Sequence, residues 1–188
     1  MLNKQAVKTL IQGGQWDEAK QMCSALCQAS PKDADAWLLM GVIHGRFENF
    51  AQAEKCCRRV TALSPAAPVG HFNLAITLQK QRKFAEAAVS LRQAIKLNPN
   101  YAEAYNELGV ALQMSGGEAS KVAECYQRAI ALKPGYVEAH YNLAAVLRDK
   151  EIFAVRSGTE SRKSQSHCRP GQGAGAQRGF CRSIWALL

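Results

Sequence analysis

The chain lacks any apolar run near the roughly 20 residues that a membrane-spanning helix needs, so no span is expected. It also lacks stretches in which Val, Ile or Thr alternate with polar residues, which argues against a sheet. No Cys-x-x-Cys pair occurs among the seven cysteines, and the four histidines keep no ligand spacing, so no zinc site is expected. Neither a Gly-x-x-x-x-Gly-Lys-Ser/Thr phosphate loop nor a Gly-x-Ser-x-Gly elbow is present. Gly171-Gln172-Gly173-Ala174-Gly175 has glycines at alternate positions, but no strand precedes it and no long helix follows, so it reads as flexible sequence. With no catalytic constellation and no cofactor motif, the chain is read as a non-enzyme without a cofactor.

The start, Met1-Leu2-Asn3-Lys4, leads into polar residues and Lys8 rather than an unbroken apolar run, so no signal peptide is expected. Many thiols without a paired spacing suit a reducing compartment, and a cytoplasmic location is the expectation.

What the chain does have is a period. Pro31, Pro65, Pro99 and Pro134 stand 34, 34 and 35 residues apart. Twelve residues before each comes Ala19, Ala53, Ala87 or Val122, and three before that Trp16, Phe50 or Phe84, with Ala119 as the exception. A period of this length marks a stack of like supersecondary units, each with room for two helices of about fourteen residues. In the third unit the apolar residues Phe72, Leu74, Ala75, Ile76 and Leu78, then Phe84, Ala87, Ala88, Leu91, Ala94, Ile95 and Leu97, recur at helical spacings of three and four. Gly13-Gly14, Gln81-Arg82-Lys83 and Gly116-Gly117 separate the two halves of their units. The small residues Gly41, Ala75, Gly109 and Ala144 would let paired helices approach closely. The fold class is therefore all-α.

These residues resemble the tetratricopeptide repeat pattern, Trp-x-x-Leu-Gly-x-x-Tyr followed by an aromatic, Ala, Phe, Ala and Pro. The second unit carries it as Trp37, Met40, Gly41, His44, Phe50, Ala53, Cys57, Val60 and Pro65. The fourth has Tyr105, Leu108, Gly109, Leu112, Tyr126, Ala129 and Pro134; the first has Val7, Leu10, Trp16, Ala19, Cys23, Leu26 and Pro31. The fifth shows His140, Leu143, Ala144, Leu147 and Phe153, and there the pattern stops. The resemblance implies a right-handed superhelical solenoid of antiparallel helix pairs over residues 1–153, with units 1–33, 34–67, 68–101 and 102–136 and a partial fifth over 137–153. His44, His71 and His140 then fall on packing positions for aromatics, and Cys23, Cys27, Cys56, Cys57 and Cys125 on helix-packing slots where cysteine acts as a small hydrophobe.

The resemblance also implies that function lies on the concave face lined by the first helix of each unit. The groove positions are Asp35, Leu38, Val42 and Arg46; Phe72, Ile76, Gln79 and Lys80; Glu103, Asn106, Val110 and Gln113; and Glu138, Tyr141, Ala145 and Arg148. Their mixture of apolar groups, amides and both charge signs suits an extended peptide or a helix of another protein. Asn73 and Asn142 resemble the asparagine ladder of O-linked N-acetylglucosamine transferases, whose amides hold a peptide backbone; Leu39, Glu107 and Gln5 interrupt it here. Repeats that clamp acidic peptide ends need Lys, Asn, Asn, Lys and Arg at set positions, and although Lys4 and Lys8 fall near two of them, Leu38, Leu39 and Val42 break the set. The expected function is a non-catalytic interaction scaffold, with the substrate-recruiting front end of a truncated glycosyltransferase or sulfotransferase as the alternative.

The net charge of +9 is uneven. Residues 1–153 carry 18 Lys and Arg against 14 Asp and Glu, whereas 154–188 carry 6 against 1. The basic balance belongs largely to a Ser-, Arg- and Gly-rich tail, where the period is lost. Two readings of 154–188 stay open: a natural tail, or the product of a shifted reading frame. Nucleic acid is not the expected partner; association through the tail ranks third as a function. An incomplete fifth unit would leave Leu143 and Leu147 partly bare, so self-association and modest stability are expected. Its one helix is expected over roughly Tyr136 to Asp149, with Phe180, Ile184, Trp185 and Leu187 of the tail able to dock on the bare flank.

Overall fold

A computed structural model describes residues 3–157. Residues 158–188, with the expectations about the tail and its docking, lie outside the described residues. The described residues form nine helices and no strand: α1 Lys4–Gln12, α2 Trp16–Ala29, α3 Ala34–Arg46, α4 Phe50–Leu63, α5 Pro68–Lys80, α6 Phe84–Leu97, α7 Ala102–Met114, α8 Ala119–Leu132 and α9 Val137–Ser157. Each packs chiefly on the helices before and after it, so the core is a strip running the length of the stack rather than a central mass. No helix among the described residues is long and apolar enough to cross a membrane.

The turns inside the units repeat as strictly as the sequence. Gly14, Glu48, Arg82 and Gly116 all take positive φ, between 56° and 76°, and stand 34 residues apart. Each closes the first helix of its unit with the same pair of bonds. The Gln15, Asn49, Lys83 and Gly117 amides donate to Leu10, His44, Leu78 and Leu112 carbonyls at 2.8–2.9 Å, and the residue before each donates to a carbonyl three back. This double bond pattern, with a left-handed residue just past the helix, satisfies carbonyls that the helix end would leave unpaired. Glycine adopts that conformation without cost; Glu48 and Arg82 do not.

The fifth unit has no such break. Its first helix was expected to end near Asp149, but α9 continues unbroken to Ser157, past Glu151, where the left-handed residue would fall. Neither Gly nor Pro occurs between Tyr136 and Ser157, so nothing in that stretch favours leaving the helix.

At three of the four seams between units, a side chain near the start of the new helix bonds back to the preceding turn. The Trp37 Nε1–H donates to the Pro31 carbonyl at 2.9 Å, and His71 and His140 Nε2 pair with the Pro65 and Pro134 carbonyls at 3.1 and 2.8 Å. At a carbonyl oxygen the histidine nitrogen must carry its proton. Of the expected packing histidines, His71 and His140 therefore hold the backbone of the preceding turn, whereas the buried Nδ1 of His44 has no hydrogen-bond partner.

Within units, small residues face bulky ones. A Cβ added to Gly41 would meet Cys57 Sγ at 3.4 Å, ordinary contact, whereas one at Gly109 would come within 3 Å of three ring carbons of fully buried Tyr126. The Tyr126 hydroxyl donates to Gln113 Oε1 at 3.1 Å, which fixes the ring against retreat. Gly109→Ala is expected to cost about 2 kcal/mol and Gly41→Ala less than about 1 kcal/mol in urea unfolding; equal costs would refute this reading of the packing.

One polar clasp joins units two and three. Glu54, only 14% exposed, receives hydrogen bonds from Arg58 Nε at 2.8 Å, Gln81 Nε2 at 2.8 Å and Lys83 Nζ at 2.9 Å. The Lys83 ammonium, with Gln81 and Arg58 behind it, holds the carboxyl down to about 2 from the usual 4.5, against the opposing effect of burial. A depressed carboxyl contributes stability that is present above pH 4.5 and is lost as pH falls toward 2. Because its cationic partners are about half exposed, screening trims the effect to about 1–2 kcal/mol. Glu54→Gln should flatten the fall in stability between pH 4.5 and 2, measured by chemical denaturation at a series of pH values.

Candidate functional site

The first helices of units two and three, α3 and α5, line a groove of about 820 Å³. Its floor is apolar: Val42, Phe72 and Ile76 are buried, and Leu38 is half-buried. These residues point inward because α3 and α5 are apolar around much of their circumference. One side packs on the second helices while the other faces the groove. Gly41 and Gly45 on α3 and Cys57 on α4 add small surfaces, and the Phe72 ring rests on Tyr101 with centroids 4.9 Å apart.

Charge sits on the rim. Arg46 lies over the Trp16 ring at 5.6 Å, Lys80 stands at the exposed end of α5, and exposed Glu48 lies in the turn between α3 and α4. On the far side Glu103 is bridged to Lys133 at 3.0 Å. Asn73 lines the groove, but its Nδ2 donates to the Val69 carbonyl of its own helix at 3.0 Å, leaving Oδ1 to accept. Cys57, in the floor, is kept protonated because burial raises its thiol to about 11.

Of the expected groove residues, Leu38, Val42, Arg46, Phe72, Asn73, Ile76, Lys80 and Glu103 come together here. Asp35, Gln79, Asn106, Val110, Gln113, Glu138, Tyr141, Asn142, Ala145 and Arg148 do not line this groove. Several are engaged in holding units three to five together. The Gln79 side chain donates to the Glu107 carbonyl at 3.0 Å, and Asn142 Nδ2 donates to Oδ1 of buried Asn106 at 3.1 Å. Both amides of the supposed ladder thus have partners within the chain. Glu107, one of its interruptions, has a carboxyl that burial shifts upward, only partly offset by Asn106 and Gln79. Lys4, at one of the clamp-like positions, is held by Asp33 and Asp35 at 3.0 and 2.9 Å.

The groove also contains residues that the pattern of first-helix positions passed over: Trp16, Pro68, Val69, Thr77, Asn98 and Tyr101. Tyr101 had a signal in the sequence. It occupies the residue before the first helix, where the earlier units carry Asp33 and Ala67, and an aromatic there has to lie against a neighbour. Burial raises its hydroxyl to about 12. The thiols of Cys23, Cys27, Cys56 and Cys57 are buried and free, and Cys125 is half-buried and free. Among the described residues no three His, Cys, Asp or Glu side chains are placed to hold a metal ion.

A tetratricopeptide repeat model matches residues 5–68 and a TPR repeat model matches residues 80–116. With the paired helices and their 34-residue turns, the chain belongs to the tetratricopeptide repeat proteins. No curated protein sequence matches it significantly. Among solved structures, MamA is 23% identical, with 78% of this chain and 85% of that chain covered and a TM-score of 0.72. The Thermobaculum terrenum O-GlcNAc transferase K341M mutant is 25% identical over 68% of this chain and 25% of that one, with a TM-score of 0.64. The first TPR of Spaghetti (RPAP3), bound to the HSP90 peptide SRMEEVD, is 24% identical over 63% and 93%, with a TM-score of 0.61.

Proposed function

We propose that this chain is a non-catalytic interaction scaffold that holds an extended peptide or a helix of another protein in the groove between units two and three. One observation carries the reading: a groove floored by buried Val42, Phe72 and Ile76 and half-buried Leu38, beneath a rim bearing Arg46, Lys80 and Glu48. A concave apolar strip with a few oriented polar groups recognises bulky side chains and aligns the backbone that carries them. The solved relative that holds an HSP90 peptide supports a peptide ligand for the same fold. The free, buried thiols favour a reducing compartment such as the cytoplasm. A second reading, the recruiting segment of a glycosyltransferase or sulfotransferase, draws on the likeness to an O-GlcNAc transferase, of which this chain covers only 25%.

Selection from a displayed random peptide library against the full chain tests the main reading. Selected peptides should carry a large apolar residue and lose at least about tenfold in affinity with Leu38→Glu or Arg46→Glu. Val89→Glu, on the exposed face of α6, should leave affinity unchanged. Failure to enrich any peptide, or an equal loss with Val89→Glu, would overturn the proposal.

A further inference from the structure

Beyond its apolar floor the groove reaches Tyr101 and Glu103, and from there the concave side continues over α7 and the start of α9. The amides of this stretch close on the chain itself: Gln79 donates to the Glu107 carbonyl, and Asn142 donates to Asn106. The charges do not balance in the same way. Glu103, Glu107 and Glu138 stand here against Lys80 and Lys133, which leaves one carboxyl in excess. Lys133 is committed to Glu103 at 3.0 Å and lies over the Tyr136 ring at 4.9 Å. Half-buried Glu107 forms no ion pair among the described residues; its carboxyl accepts only from neutral amides, Asn106 Nδ2 at 3.4 Å and the Gln79 side chain.

A second group points to a ligand at this place. Tyr136 is only 6% exposed, its hydroxyl lies among Glu107, Glu103 and Glu138, and that hydroxyl has no hydrogen-bond partner among the described residues. Burial first, and then those three carboxyls, raise it, so it keeps its proton and its oxygen is free to accept. Burial also raises the Glu107 carboxyl, because Asn106, Gln79 and the charge of Lys80 offset only part of the lost hydration.

We propose that the occupant of the groove carries a lysine or arginine whose head group binds between Glu107 and Tyr136, next to the apolar residue on the floor. This names the partner chemistry of the groove and rests on that reading of it. Charge complementarity selects the cation, since a neutral or acidic residue leaves the excess carboxyl uncompensated. The spacing follows from the helices. Gln79, which touches Glu107, is one turn past Ile76 of the floor, and α5 and α7 are neighbouring first helices. Floor and carboxyl are thus on the order of 10 Å apart, or roughly three residues of extended peptide.

A bound cation favours ionised Glu107, so affinity should rise with pH as that carboxyl loses its proton. The titratable groups facing it are Lys80 from α5, Glu103 from α7, Tyr126 from α8, and Tyr136 and Glu138 at the start of α9. Replacing Glu107 itself isolates its share.

The test titrates the full chain with fluorescein-labelled peptides taken from the displayed library, read by anisotropy. They should carry Lys or Arg roughly three residues from the apolar anchor. Replacing that residue by norleucine should cost wild type at least about tenfold in affinity, and Glu107→Gln less than about twofold. Wild-type affinity should climb by about tenfold from about pH 5 to 8, and Glu107→Gln should flatten the climb. Glu124→Gln, at an exposed carboxyl on α8, should match wild type in both respects. Apolar-anchored peptides with no basic residue, or a norleucine cost that persists in Glu107→Gln, overturn the cation site and leave the groove reading standing. If Glu107→Gln does not fold, wild-type affinity that is flat across that pH range overturns it alone. Failure to select any peptide overturns both.

Discussion

A helix in this chain can bury its apolar side only against the helices next to it. That constraint of neighbour-only packing governs every other feature. It demands that each unit fold back on itself at the same distance along the chain, so the left-handed residues at 14, 48, 82 and 116 keep a 34-residue interval even where Glu or Arg must adopt that conformation. It demands small residues where paired helices approach, and it makes the seams between units separate problems. Trp37, His71 and His140 solve three of these seams with a bond to the preceding proline carbonyl, and Glu54 with its three donors strengthens the one between units two and three a second time.

The groove follows from the same arrangement. α3 and α5 are apolar on more of their surface than one layer of neighbours can cover, and what remains of Val42, Phe72 and Ile76 faces the concave side. Farther along, the concave side is built differently. Gln79, Asn106 and Asn142 bond to one another's helices, and Glu107 sinks its carboxyl among them. One stretch of the inner face is thus open and apolar, while the next is closed by its own polar contacts.

Much of this was legible in the sequence because it is written in spacing. The proline interval, the aromatic and the small residue before it, and the breaks between half-units carry the helix pairs directly, since each reflects a local steric demand. The groove was only half legible. First-helix positions locate Leu38, Val42, Arg46, Phe72, Ile76 and Lys80, yet the same rule cannot tell a side chain that faces solvent from one captured across the seam, as Gln79 and Asn142 are. Trp16 and Tyr101 reach the groove from outside the first helices, through rotamer and packing rather than register. The length of α9 also escaped pattern reading. A repeat template expects a turn near Asp149, whereas the local residues contain nothing to stop a helix before Ser157.

The groove draws its walls from α2, α3, α4, α5 and the start of α7, so four successive units contribute to it. In a stack whose members touch only their neighbours, each unit can fray with little consequence for one two places away. An occupant lying across those walls acts as a splint: it makes units that were mechanically remote from one another open together or not at all.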